Sequence, residues 1–190
     1  MNQFIQVMQQ YLTYIATVRG LSARTVLAYE DDLNKFRDYL EEHKLQYNRL
    51  ERQEVRSFVA HLQRMQLSVS SVNRILSGVK GFYNYALRYG ITDTDPFDRV
   101  KSLKEQRRLP AVLSEEEVQR LLDAPGDDLF GIRDQVIFQV LYSTGCRLSE
   151  LLGMNISDIS LKTGEILVLG KGGKQRYVYL TDSAQQLIST

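Results

Sequence analysis

Four successive runs of apolar residues at helical spacing occupy the first 90 positions, and none of them can bury its stripe alone. In the first, Phe4, Val7, Met8, Tyr11, Leu12 and Ile15 recur at the i, i+3, i+4, i+7 steps that line one helix face. Gly20 breaks that run, and Ser22 is placed to cap a second helix by accepting a bond from a free backbone N–H of its first turn. The second stripe is Val26, Tyr29, Leu33, Phe36 and Leu40, which leaves Glu30, Asp31, Lys35 and Arg37 to solvent. A third helix carries Val55, Phe58, Val59 and Leu62. A fourth, capped by Ser68 or Ser70 and ended near Gly90, carries Val72, Ile75, Leu76, Val79, Phe82, Tyr83 and Leu87. Amphipathic helices lower their free energy by packing stripe on stripe, so the pattern predicts a helical domain over residues 1–91.

Residues 92–110, TDTDPFDRVKSLKEQRRLP, are charged and show no sustained period, which predicts a linker. Residues 111–190 then form a second region. Ser114 followed by Glu117 is a capping box, with Val118, Leu121 and Leu122 as the stripe of a short helix. An apolar helix through Ile132, Val136, Ile137, Val140 and Leu141 stops at Ser143-Thr144-Gly145, and a short helix follows over residues 149–154. Residues 165–169 read as a strand, 170–174 as a glycine-rich turn and 176–180 as the partner strand, with Tyr177 and Tyr179 on one face and Val178 and Leu180 on the other. The expected fold class is mainly α with a small antiparallel β-hairpin.

Composition closes several routes. A single Cys excludes a disulfide framework, and two His (His43 and His61) exclude the usual four-ligand zinc constellation. No run reaches the ~18 apolar residues of a membrane span, and the first residues lack the basic start of a secretory signal. The expectation is a soluble, cytoplasmic protein without a membrane partner. The net charge of +1 argues against nucleic acid, whose binders are usually basic. The charges are spread unevenly, however: residues 1–105 hold 15 Lys and Arg against 12 Asp and Glu, and the remainder 9 against 11. A basic face on the helical domain is therefore compatible with the small total.

Two constellations carry chemistry. In Thr144-Gly145-Cys146-Arg147-Leu148-Ser149-Glu150-Leu151, a Gly lets the backbone turn tightly and Arg147 follows at the start of a helix. Its guanidinium fork suits a phosphate or a carboxylate, and Glu150 is spaced to orient it; an Arg–Glu ion pair that merely ties the helix start fits the same spacing. In Gly170-Lys171-Gly172-Gly173-Lys174-Gln175-Arg176, three cations sit on a hairpin turn, either to reach a polyanion or as a solvated charged turn. A phosphate-binding P-loop is excluded, because Gly164 lies one residue too far from Gly170-Lys171 and Gly172 stands where Ser or Thr is needed.

Taken together and in this order, TGCRLSEL and GKGGKQR resemble the tyrosine site-specific recombinases of phage-integrase type, and within them the Xer-type bacterial chromosome resolvases. LSARTVLAYEDDL, SSVNRILSGVKGFYNYAL, LPAVLSEEEVQRLL and RDQVIFQVLYSTGCRLSEL extend the resemblance over essentially the whole chain. It implies an N-terminal four-helix, SAM-like core-binding domain followed by the first part of a recombinase catalytic domain. The implied chemistry is metal-free and cofactor-free: a Tyr hydroxyl attacks the scissile phosphate, forming a 3′-phosphotyrosyl link and releasing a 5′-hydroxyl that later attacks a partner strand. By position, Arg147 matches the first catalytic Arg, Lys171 the hairpin Lys that acts as general acid, and Glu150 a residue that orients Arg147. The resemblance further implies DNA contacts from Arg24, Thr25, Asn73, Arg74, Lys80, Arg107, Arg108, Lys174 and Arg176.

The family's His-x-x-Arg pair, further His or Trp and Tyr nucleophile lie downstream of the hairpin, and nothing after Lys171 matches them. Tyr177 and Tyr179 are accounted for as strand-face residues, and Val178-Tyr179-Leu180 departs from the family's Val-Pro-Leu. The chain is accordingly expected to be C-terminally truncated relative to the family and to bind a double-stranded recombination site without cutting it. Whether it counts as an enzyme stays open, as does the alternative of a non-catalytic DNA-binding accessory protein of recombinase ancestry. The full-length family works as homo- or hetero-tetramers on two duplexes, in chromosome-dimer resolution or in mobile-element integration.

Overall fold

The four stripes of the N-terminal half become α1 (Asn2–Thr17), α2 (Ala23–Glu42), α3 (Arg52–Arg64) and α4 (Val69–Arg88). The computed structural model describes residues 2–105 and 111–189, Lys171 by its backbone alone, and divides into two compact units, Met1–Arg108 and Leu109–Thr190. Local chemistry sets the helix ends. Ser22 Oγ accepts from the Thr25 N–H at 3.3 Å, and Ser68 Oγ from the Ser71 N–H at 3.1 Å, so Ser68 rather than Ser70 caps α4. The stripes meet around an aromatic core of Phe4, Phe36, Phe58, Phe82 and Tyr83, all fully buried. Phe36 meets Phe58 edge-on at 5.0 Å, a geometry that sets the positive edge of one ring on the negative face of the other.

Much of the stretch that its charge marks as linker belongs to this unit. Phe97 is 0 % exposed, stacks on Tyr83 at 5.4 Å and stands edge-on to Phe36 at 5.6 Å. Val100 and Leu103 pack on the same core. The Asn73 amide fixes Leu103 from both ends, donating to its carbonyl at 3.0 Å and accepting from its N–H at 2.7 Å, and Lys80 donates to the Val100 carbonyl. One aromatic among charged residues makes no period, so the pattern does not disclose it. Arg107 and Arg108 lie outside the described residues.

The second unit begins with α5 (Glu115–Asp123), whose capping box forms as the sequence indicates: the Glu117 N–H donates to Ser114 Oγ at 3.2 Å, and the Ser114 N–H donates to Glu117 Oε2 at 2.8 Å. Then follow α6 (Leu129–Thr144), α7 (Leu148–Leu151), β1 (Ile159–Ser160), β2 (Glu165–Leu169), β3 (Gln175–Tyr179) and α8 (Asp182–Ser189). The strands form an antiparallel sheet in the order β1-β2-β3, with Ile166 opposite Val178 and Val168 opposite Arg176. Val178 and Leu180 are buried with Ile166, Val168, Val140 and Ala184, while Tyr177 and Tyr179 are exposed, as strand alternation requires. Two elements escape the sequence reading: β1 is too short to alternate, and α8 is largely polar. α6 is apolar around its circumference, yet only Gly131 and Val140 in it are fully buried, and Leu129, Phe130, Ile132 and Tyr142 stay exposed.

Candidate functional site

The Arg147 site starts with a helix end. α6 terminates at Gly145, whose φ of 57° and ψ of 22° lie in the left-handed region that favours glycine, and its N–H donates to the Leu141 carbonyl at 2.9 Å. The reversal delivers Arg147 to the N-cap of α7. Three residues on, Glu150 turns back and accepts from the Arg147 N–H at 2.8 Å and from Arg147 Nη1 at 2.8 Å. A second guanidinium reaches the same carboxylate. Arg176 lies on the face of β3 that carries Val178, and it donates from Nη1 to Glu150 Oε1 at 2.7 Å and from Nη2 to Oε2 at 2.8 Å.

Glu150 thus accepts four N–H bonds, which fills the roughly four lone-pair positions of a carboxylate. Its side chain is 2 % exposed, against 41 % for Arg176 and 66 % for Arg147. The Arg176 hydrogen bonds, with the Arg147 backbone N–H next, hold the Glu150 carboxyl down to about 2. A depressed carboxylate stabilises the fold above its unfolded pKa of ~4.3 and loses that contribution as pH falls toward its folded value. Melting temperatures of the Glu150→Gln variant should therefore depend less steeply on pH than the parent's between about pH 5 and 2; parallel curves for the two proteins would contradict this.

The glycine turn adjoins the cluster. A Cβ placed on Gly170 would lie 3.4 Å from Arg176 Nη1 and 3.5 Å from Glu150 Oε1, so the backbone just before Lys171 rests against this ion pair. Lys171 opens the tight turn Lys171–Gly173, in which Gly172 takes a φ of 77°, and Lys174 is exposed after it. The Lys171 side chain falls outside the described atoms. Chemically, the unit offers an exposed guanidinium on one buried carboxylate, with the backbone of a glycine turn beside it.

In the helical unit, Arg24 is exposed in the first turn of α2, and Thr25 bonds Ser22 Oγ at 2.8 Å. Arg74 on α4 crosses to α2, donating from Nη1 to Asp32 Oδ2 at 2.6 Å and to the Ala28 carbonyl at 3.1 Å, with its side chain about half exposed. The pair holds Arg74 against the middle of α2. Asp32 is fully buried, and burial pushes its carboxyl up despite the opposing Arg74 charge. Its sign is opposite to that of Glu150: the native state takes up the proton first, so ionisation of Asp32 costs stability as pH rises. Sequence reasoning missed Asp32, although its position three after Tyr29 and four before Phe36 puts it on the buried stripe. Asn73 and Lys80 are instead spent on the backbone at Leu103 and Val100.

Among the described residues, no helix is long and apolar enough to cross a membrane, and no group of three His, Cys, Asp or Glu could hold a metal ion. Residues 8–90 match the model of the phage integrase N-terminal SAM-like domain, and residues 111–190 that of the phage integrase family. The chain is 36 % identical to a tyrosine recombinase XerC of Treponema denticola over 96 % of its own length and 61 % of that protein's. It is 38 % identical to a tyrosine recombinase XerC of Pseudomonas syringae pv. tomato over 97 % of its length and 62 % of that protein's. It therefore spans about three fifths of the curated relatives it matches. Among solved structures, lambda integrase residues 75–356 bound to DNA aligns with a TM-score of 0.75 at 18 % identity, over 98 % of this chain and 65 % of that one. A Tn1549 transposon integrase in complex with a circular intermediate DNA aligns with a TM-score of 0.74 at 17 % identity, over 96 % of this chain and 63 % of that one. At such identities these two establish the fold alone.

Proposed function

Since the chain belongs to the phage integrase family, we propose that it works on duplex DNA as the DNA-gripping and first catalytic portion of a tyrosine-type site-specific recombinase. The observation that carries this reading is the Arg147–Glu150–Arg176 cluster, two guanidiniums on one buried carboxylate beside the backbone of Lys171. It has one net positive charge, suited to a phosphate diester. In the proposed reaction a Tyr hydroxyl outside the positions matched here attacks the scissile phosphorus, the bond to the 5′-oxygen breaks, and a 3′-phosphotyrosine remains. Arg147 holds the non-bridging oxygens as charge builds on them, and Lys171 gives a proton to the departing 5′-oxygen. Attack by a 5′-hydroxyl of a partner strand reverses the step and regenerates the Tyr hydroxyl, so no water is consumed.

Arg24, Thr25 and Arg74 grip the backbone from the helical unit, and Arg107, Arg108 and Lys174 add charge. Asn73 and Lys80 support this surface by fixing the segment that follows α4. Within the 190 residues the only His are His43 and His61, both in the helical unit, and the Tyr residues beyond Lys171 are the exposed strand residues Tyr177 and Tyr179. These residues by themselves bind DNA without attaching to it. A duplex carrying a nick next to the cleavage position traps any covalent product. The expected result is a retarded complex that dissociates in detergent; a detergent-stable protein–DNA adduct would overturn the reading.

A further inference from the structure

We propose that Arg176 is a positioning residue: by occupying Glu150 bidentately, it keeps Arg147 available to a DNA phosphate, an inference that rests on the DNA-binding reading above. An exposed Arg three residues from a buried carboxylate is set up to close into a fork-to-fork pair with it, and such a pair has no net charge left for a ligand. Here that closure is pre-empted. Both Arg176 Nη atoms engage the two carboxylate oxygens, at 2.7 and 2.8 Å, and Arg147 retains one side-chain bond, from Nη1. Arg147 Nε and Nη2 have no hydrogen-bond partner among the described residues. Arg147 is also the more exposed of the two, 66 % against 41 %, so the surplus positive charge faces solvent from Arg147.

The fold makes the division of labour specific. Alternation along β3 turns Arg176 inward, opposite the buried Val168, whereas a cation meant for DNA would point out with Tyr177 and Tyr179. The Arg176–Glu150 pair joins residues 26 positions apart and backs onto Gly170, so it also ties the turn bearing Lys171 to α7. Arg176 acts on the phosphate through Arg147 and touches no DNA itself.

The test is the salt dependence of binding of the full 190-residue chain to a mixed-sequence duplex, read by fluorescence anisotropy. Each phosphate contact contributes about 0.9 to the slope of log affinity against log salt. Arg147→Ala should lower the slope by about one contact, and Arg176→Met by the same amount, because Glu150 then captures Arg147. The Arg147→Ala/Arg176→Met pair should lose no more than Arg147→Ala alone, and Arg176→Met/Glu150→Gln should regain the parental slope. A single variant that had merely failed to fold would not recover when the buried Glu150 is changed as well. Loss of about two contacts in Arg147→Ala/Arg176→Met, or no recovery in Arg176→Met/Glu150→Gln, would overturn the proposal by making Arg176 a contact in its own right or a purely structural residue. No binding by the parent, or an unchanged slope in Arg147→Ala, would instead overturn the DNA reading on which it rests.

Discussion

Replacing Phe97 by Ala is expected to destabilise the helical unit by about 3–5 kcal/mol, the range for deleting a fully buried aromatic side chain. The ring is 0 % exposed and meets Tyr83 at 5.4 Å, Phe36 at 5.6 Å and Phe58 at 6.2 Å, so its loss empties a space walled by three rigid rings. Those rings come from three helices and cannot collapse into the gap without shifting the bundle. The effect also discriminates between two roles for the segment after α4. If residues 92–103 were only a tether, Phe97→Ala would leave denaturant midpoints unchanged; as a plug in the core, it should lower the midpoint severely. A control at the exposed neighbour Arg99, changed to Ala, should stay within about 0.5 kcal/mol of the parent.

The second large effect lies in the chemistry. Under the proposed strand-cleavage reaction, Arg147→Ala should lower the rate about 10²–10³-fold, the usual cost of removing one preorganised donor from a developing oxyanion. Arg147→Lys should recover little of it, because an ammonium is a point charge and cannot replace a planar fork. DNA affinity should fall far less than the rate, since one phosphate contact among several is lost. Single-turnover cleavage, with affinity measured on the same preparations, separates the two quantities. A parental cleavage rate in Arg147→Ala would remove Arg147 from the transition state.

Local chemistry left a clear record in the sequence, and contacts between distant residues did not. The four stripes, the Ser22 and Ser114 caps, the end of α6 at Gly145 and the alternation of residues 177–180 are each decided within a few neighbours, and each stands in the structure as read except at the end of the fourth stripe, where Leu87 is exposed and Ala86 is buried instead. Phe97 sits alone among charged residues, and its burial depends on rings that arrive from α2, α3 and α4. The Arg74–Asp32 and Arg176–Glu150 pairs span 42 and 26 positions, beyond any window of periodicity. Their signals were nonetheless present in weaker form, Asp32 on an apolar stripe and Arg176 on the inward side of a strand. Net charge says little about partners for a related reason: a sum over 190 residues is blind to the placement of cations, and here two of them share one buried carboxylate.

Every role proposed for these residues requires that they recognise duplex DNA through its phosphates. Anisotropy of a labelled duplex, titrated with the parent chain over a series of salt concentrations, measures this directly. The expected result is saturable binding whose log affinity falls linearly with log salt, with a slope of several contacts at about 0.9 each. Absence of binding at low salt, or an affinity indifferent to salt, would contradict it.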